Sequence, residues 1–216
     1  MVEHWRNLLN SIIAMKSVKF ESPAKINLML SVHGQRDDGF HSLTSVVASL
    51  VFGDTLIVSL NEAGVDRLNC SDSAVPTGHA NLILKAAVAF REELGENIYF
   101  DFDLDKRIPM GAGLGGGSSN AAVALCAMNQ LRGNCMTKER LRAVATELGS
   151  DCPFFIDSIP SKMSGRGEVL EACLSNYLMH YEDRGLFCLN QILQSIRLWP
   201  TIALANRDPR FMNLWS

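Results

Sequence analysis

Between residues 109 and 119 the chain reads Pro109-Met110-Gly111-Ala112-Gly113-Leu114-Gly115-Gly116-Gly117-Ser118-Ser119, with five glycines directly ahead of a helix of small residues. A strand or helix interior is weakened by even one glycine, so this stretch is a loop whose backbone turns sharply and approaches other groups closely. The helix behind it presents unpaired N–H groups and about half a unit of positive charge at its N-terminus. Together these suit an anion, and Ser118 and Ser119 are placed to cap the helix or to add hydroxyl contacts to a phosphate or a magnesium-bound water. The plain alternative is a flexible glycine turn between strand and helix. A Walker A loop is excluded because Gly117, not lysine, follows Gly116. Gly111 to Gly116 satisfy the glycine spacing of a dinucleotide fold, but Asp105-Lys106-Arg107 and Pro109 separate them from the preceding strand, which that fold does not allow.

The flanking periodicities set the fold class. Residues 24–33 alternate, with Ile26, Leu28, Leu30 and Val32 on one face and Lys25, Asn27, Met29 and Ser31 on the other, which predicts a half-buried strand with a wet polar face. A charged, glycine-containing turn at 34–39 precedes an apolar stretch at 43–52, and Gly53-Asp54 is read as a turn before a short strand at 55–60. Residues 61–78 read as loops with an edge strand. Asn81 is a candidate N-cap for a helix over 82–94 that Gly95 stops. In residues 98–105, Ile98, Phe100, Phe102 and Leu104 alternate with Tyr99, Asp101, Asp103 and Asp105, a strand with one wet face. Helices are predicted over 118–131 and 137–148, the second ended by Gly149. Strands followed by segregated helices point to an α+β sandwich and not to a doubly wound sheet.

Composition narrows the partners. The 216 residues, 47% hydrophobic and 20% charged, suffice for one large domain or two small ones. A formal net charge of −3 argues against a nucleic-acid partner, so any phosphate must be held locally. No apolar run approaches the roughly 18 residues that span a bilayer, so a membrane partner is not expected. The chain is read as cytoplasmic, with a plastid location the lesser alternative. The apolar patch from Leu8 to Met15 reads as a short helical extension, with Met15 a candidate start. Cys70, Cys126, Cys135, Cys152, Cys173 and Cys188 include no pair at two-residue spacing, which indicates neither a zinc site nor a disulfide framework. Cys126 and Cys152 read as packing residues, and no residue is singled out as a metal ligand.

The proline of the loop followed by Gly116-Gly117-Ser118-Ser119 at a helix start resembles the second motif of the GHMP kinases, the superfamily of galactokinase, homoserine kinase and mevalonate kinase. Ser22-Pro23-Ala24-Lys25-Ile26-Asn27-Leu28, the turn from Gly34 to His41, Gly53-Asp54, Asn81-Leu82-Ile83, the stretch from Gly149 to Phe155 and Gly165-Arg166-Gly167-Glu168 narrow the resemblance to the branch acting on a cytidine-diphosphate-linked methylerythritol. The resemblance implies an α+β domain like the second domain of ribosomal protein S5. It further implies transfer of the ATP γ-phosphate, with Mg2+, to the 2-hydroxyl of that small molecule, in the non-mevalonate route to isoprenoids. In the same terms Asp151 takes the hydroxyl proton and Lys25 pairs with Asp151 and the transferring phosphoryl group. Asn27, Phe40 and His41 are implied on the substrate side, Asn81 and Lys106 near the ATP nucleoside, and Pro109 to Ser119 around the phosphates. The ordinary alternatives are a turn aspartate at 151, a solvated strand lysine at 25 and turn-closing residues at 40 and 41.

The resemblance runs over about residues 20–171. Residues 1–19 are read as an extension, 20–171 as the ATP-binding domain and 172–216 as an atypical tail with a helix over 186–198 ended by Pro200. Members of the superfamily continue into a second domain with a third glycine-rich motif, and none is seen between Ala172 and Ser216, so the C-terminal domain is expected to be truncated or replaced. The alternatives in function are a catalytically impaired nucleotide-binding fragment, or a GHMP kinase for another alcohol.

Overall fold

The architecture is built on one long strand. In the computed structural model, which describes residues 17–35, 41–165, 167 and 169–172, β2 (His41–Asn61) runs 21 residues and carries three partners. Along one edge β1 (Ser17–Gln35) pairs with it antiparallel over its whole length. On the other edge β4 (Tyr99–Asp105) pairs antiparallel with residues 55–61, and β5 (Ser161–Ser164) with residues 45–47. Beyond them lie β3 (Arg67–Cys70), parallel to β4, and β6 (Val169–Ala172), antiparallel to β5. The predicted Leu8–Met15 extension, the turn residues 36–40, Arg166, Glu168 and the predicted 186–198 helix lie outside the described residues.

Four helices complete the described fold: α1 (Leu82–Leu94), α2 (Gly116–Leu131), α3 (Lys138–Leu148) and α4 (Cys152–Asp157). The caps of α1 behave as the sequence predicts. Asn81 Oδ1 accepts from the Ile83 N–H at 2.9 Å and Gly95 closes α1 with φ 65°, a conformation a side chain disfavours. Thr137 caps α3 by accepting from the Arg140 N–H. Helix α2 packs on β1, β2, α1, α3 and α4, and its alanines, Leu125 and Met128 are fully buried, because a helix apolar on every side belongs inside. The alternation in β4 turns Phe100, Phe102 and Leu104 into the core, where Phe90 of α1 meets Phe100 edge-on. Truncating one such ring to alanine removes about 3–5 kcal/mol. Sheet and helices form an α+β domain, and among the described residues no helix is long and apolar enough to cross a membrane.

Two expectations fail in the strands. Gly53-Asp54 is not a turn, because β2 continues through it without a break. The glycine is needed instead for close approach: a Cβ at position 53 would lie 2.8 Å from Pro23 Cα of the neighbouring strand. The polar face of β1 is also not simply wet. Lys25 of the predicted wet face is buried while Leu30 of the predicted buried face is exposed, since register shifts after Pro23 and Asn27 interrupt the alternation.

Candidate active site

The glycine loop enters from β4 and ends at α2. Gly111, Gly113 and Gly115 all have φ near +70°. At Gly115 two demands coincide: the left-handed backbone, and a would-be Cβ 2.9 Å from Lys25 Cγ and 3.0 Å from Phe155 Cζ. Gly115 is also the N-cap of α2 and offers no side chain, so the first amides of that helix are left for an external acceptor. The Lys25 N–H donates to the Leu114 carbonyl at 2.9 Å, which ties the loop to β1 and draws the lysine beneath it.

The lysine side chain meets two oxygens. Its Nζ donates to Asn27 Oδ1 at 2.5 Å and lies 3.2 Å from Asp151 Oδ2. Asn27 is held in turn by donating to Ser45 Oγ at 2.7 Å. Asp151 occupies the N-cap position of α4 yet makes no capping hydrogen bond, so its carboxylate is turned to the lysine and keeps 32% of its surface open. Cys152 next to it is buried, and desolvation pushes its thiol up to about 11 against a hydrogen bond from Ser118, so at neutral pH it is an uncharged packing group.

A second lysine–aspartate pair lies on the other side of the loop. Asp54 is fully buried, and Lys106 Nζ donates to its Oδ2 at 2.5 Å. The same oxygen accepts from Asn120 Nδ2 at 2.9 Å, and Oδ1 accepts the N–H groups of Arg107 and Ile108 at 2.6 and 2.7 Å. Asn120 also donates to Ser22 Oγ at 2.9 Å.

These groups surround a cavity of about 590 Å³, a size suited to a small-molecule ligand. Lys25, Asp151, Lys106, Asn120, Ser118 and every residue from Pro109 to Gly117 line it, and Val75, Pro76, Asn81 and Leu82 add an apolar wall with one amide. The GHMP kinases N terminal domain family matches residues 81–158, which include Asn81 and Leu82 of that wall, the loop, α2 and Asp151.

The chain carries a GHMP kinase N-terminal domain.

Relatives agree with that assignment. A 4-diphosphocytidyl-2-C-methyl-D-erythritol kinase of Protochlamydia amoebophila (strain UWE25) is 43% identical over 166 residues, which cover 77% of this chain and 57% of that protein. The chloroplastic enzyme of the same name from Arabidopsis thaliana is 44% identical over 158 residues, covering 73% of this chain and 41% of that protein. A crystal structure of 4-(cytidine 5'-diphospho)-2C-methyl-D-erythritol kinase superposes with a TM-score of 0.62 at 37% identity, covering 72% of this chain and 55% of that one. The chain spans about half the length of the curated relatives it matches.

Within this GHMP domain the structure gathers most of the sequence candidates into one place. Lys25, Asp151, Asn81, Lys106 and the loop from Pro109 through Ser118 share the cavity. Asn27 touches Lys25 without lining the wall. Ser119 corrects the expectation of a capping or phosphate-contacting hydroxyl: it is fully buried one turn into α2 and bonds Ser22 Oγ at 2.8 Å. His41 opens β2 opposite Gln35, and Phe40 lies outside the described residues. Sequence reasoning missed Asp54, Asn120 and Ser22. The one local signal for them was a lone asparagine inside an alanine run, since a polar side chain in a buried helix requires a partner.

Proposed function

We propose that this domain serves ATP-dependent phosphorylation of the 2-hydroxyl of a cytidine-diphosphate-linked methylerythritol, a step toward isoprenoid precursors. The observation that carries the proposal is the Lys25–Asp151 pair, 3.2 Å apart and opening on the same cavity as the amides at the start of α2. Phosphoryl transfer asks little covalent chemistry of a protein and much positioning. In this reading the amides of the glycine loop and the α2 N-terminus hold the terminal phosphates of ATP. Asp151 accepts the proton of the substrate hydroxyl as its oxygen bonds to the γ-phosphorus and the bond to the β-phosphate oxygen breaks, releasing ADP. Lys25 holds that carboxylate in place and offers positive charge to the transferring group. The apolar wall of Val75, Pro76 and Leu82, with the Asn81 amide, suits the nucleoside, and Asn27, Phe40 and His41 are assigned to the acceptor side.

The donor set also fits Mg2+ carried in with the nucleotide. No group of three or more metal-ligating side chains occurs among the described residues, so there is no all-protein cage. The Ser118 hydroxyl and the Asp151 carboxylate line the cavity and are the oxygens that would hold such an ion beside phosphate oxygens, where it would offset their charge. A cytoplasmic location accords with this reading.

A coupled assay of ADP release with the cytidine-linked alcohol, run beside a panel of other GHMP substrates, tests the proposal. Turnover confined to the cytidine compound is expected. Turnover of another alcohol alone would reassign the acceptor. Nucleotide-dependent thermal stabilisation without turnover of any alcohol would leave this chain as a nucleotide-binding part of such a kinase.

A further inference from the structure

We infer that Asp54 is a positioning residue of the nucleotide site and acts through Lys106; this rests on the nucleotide reading of the cavity given above. The carboxylate has no exposure, and both its oxygens are saturated by four donors: Lys106 Nζ and Asn120 Nδ2 on one, the Arg107 and Ile108 amides on the other. Three of these come from consecutive residues at the entry of the glycine loop, and the fourth comes from α2, the helix at its exit. One buried anion therefore sets the gap between the two ends of the loop. Ser22 of β1 secures the α2 side a second time, by bonding both Ser119 and Asn120.

The consequence for a ligand falls on Lys106. Its ammonium lies 3.0 Å from where a Cβ at Gly116 would stand, so it sits against the first residue of α2, where the unpaired amides begin. The side chain is 6% exposed and lines the cavity, yet Asp54 is the only ion-pair partner described for it. An ammonium has three N–H donors, so donors remain for an oxygen of the nucleotide. A lysine in open solvent would lose rotamer freedom on binding, whereas this one is already fixed. Asp54 thus supplies pre-organisation and never meets the ligand.

Isothermal titration with a non-hydrolysable ATP analogue, paired with thermal unfolding of the free protein, tests this on the unsubstituted chain, D54N, K106M and the double variant. The asparagine at 54 keeps one oxygen for the Arg107 and Ile108 amides while presenting an NH2 to Lys106. Each single change is expected to raise Kd by about tenfold or more, the scale of one charge-assisted hydrogen bond. The double variant is expected to bind within about twofold of K106M, because the two residues act as one unit. A D54N protein that melts earlier but binds within about twofold of the unsubstituted chain would overturn the inference, as would losses that multiply in the double variant. If D54N does not fold, K106M and K106R carry the test: K106M should weaken binding about tenfold and K106R should recover most of it, and a K106M protein with unchanged Kd overturns the inference. Absence of binding by the unsubstituted chain would overturn the nucleotide reading itself, and this inference with it.

Discussion

Two lysine–aspartate pairs flank the same loop and differ in almost every physical respect. In Lys106–Asp54 the carboxylate is sealed, with no exposure and all its lone pairs facing donors from the loop and α2, and only the ammonium reaches the cavity. Lys25–Asp151 is open: the carboxylate keeps 32% of its surface, forgoes its helix-capping bond and faces the cavity. A saturated buried carboxylate fixes geometry, and an unsaturated one at a cavity wall is free to exchange a proton or accept a new partner. On the proposed reading, identical residue types divide into anchor and reagent according to what surrounds them.

The comparison breaks most sharply at Asp151. Asp151→Asn is expected to lower kcat for ADP release by about 10²–10⁴-fold while nucleotide affinity and the thermal midpoint stay near those of the unsubstituted chain. A large fall in midpoint instead would make this pair an anchor too. Asp54→Ala should do the reverse and destabilise the fold by about 3–5 kcal/mol, because it leaves an ammonium, an amide side chain and two backbone N–H groups unpaired in the interior. Urea unfolding measures it, and a loss below about 1 kcal/mol would contradict the sealed description. Gly115→Ala touches the point where the loop meets the open pair. Its left-handed φ of 70° and the 2.9 Å approach to Lys25 Cγ should cost about 1–3 kcal/mol of stability and displace the lysine, so activity falls more than stability alone predicts.

The smallest effect at neutral pH concerns the thiols. Burial raises Cys126 and Cys152 from 9.0 to about 11 in the folded chain. Unfolded thiols ionise first, so the unfolded state binds fewer protons above pH 9. Stability is therefore intact below pH 9 and falls between about pH 9 and 11, on the order of 2 kcal/mol for each thiol. Alkaline unfolding of Cys152→Ser should show a shallower fall over that range than the unsubstituted chain does. A superimposable pH profile would remove Cys152 from the account.

Legibility in the sequence followed the range of the interactions. Helix α1 announced both ends because Asn81 and Gly95 act on backbone within a turn of themselves, and β4 announced its faces because Phe100, Phe102 and Leu104 alternate with aspartates. The glycine loop was legible for the same reason. Asp54 was not: Gly-Asp is a local turn signal, and the groups that overrule it lie 52 to 66 residues away in sequence. Lys25 was placed on a wet strand face because nothing nearby in the chain reveals that Leu114 folds over it. Helix α4 and strands β5 and β6 were not resolved as elements, being four to six residues long, too short for a period to register. Pro153 was a local mark for α4 alone, since proline is favoured in a first helical turn.

The uninterrupted run of β2 through Gly53-Asp54 has a consequence for how the chain must assemble. Side chains on a strand alternate faces, so sliding β2 by a single residue against β1 would swing Asp54 away from the helices and carry a bulkier residue into the gap that only Gly53 fits. Strand alignment and the shape of the cavity are then one variable: a molecule zipped one step out of place loses the buried anion that spaces the loop against α2, and any ligand of the cavity would favour only chains that paired correctly.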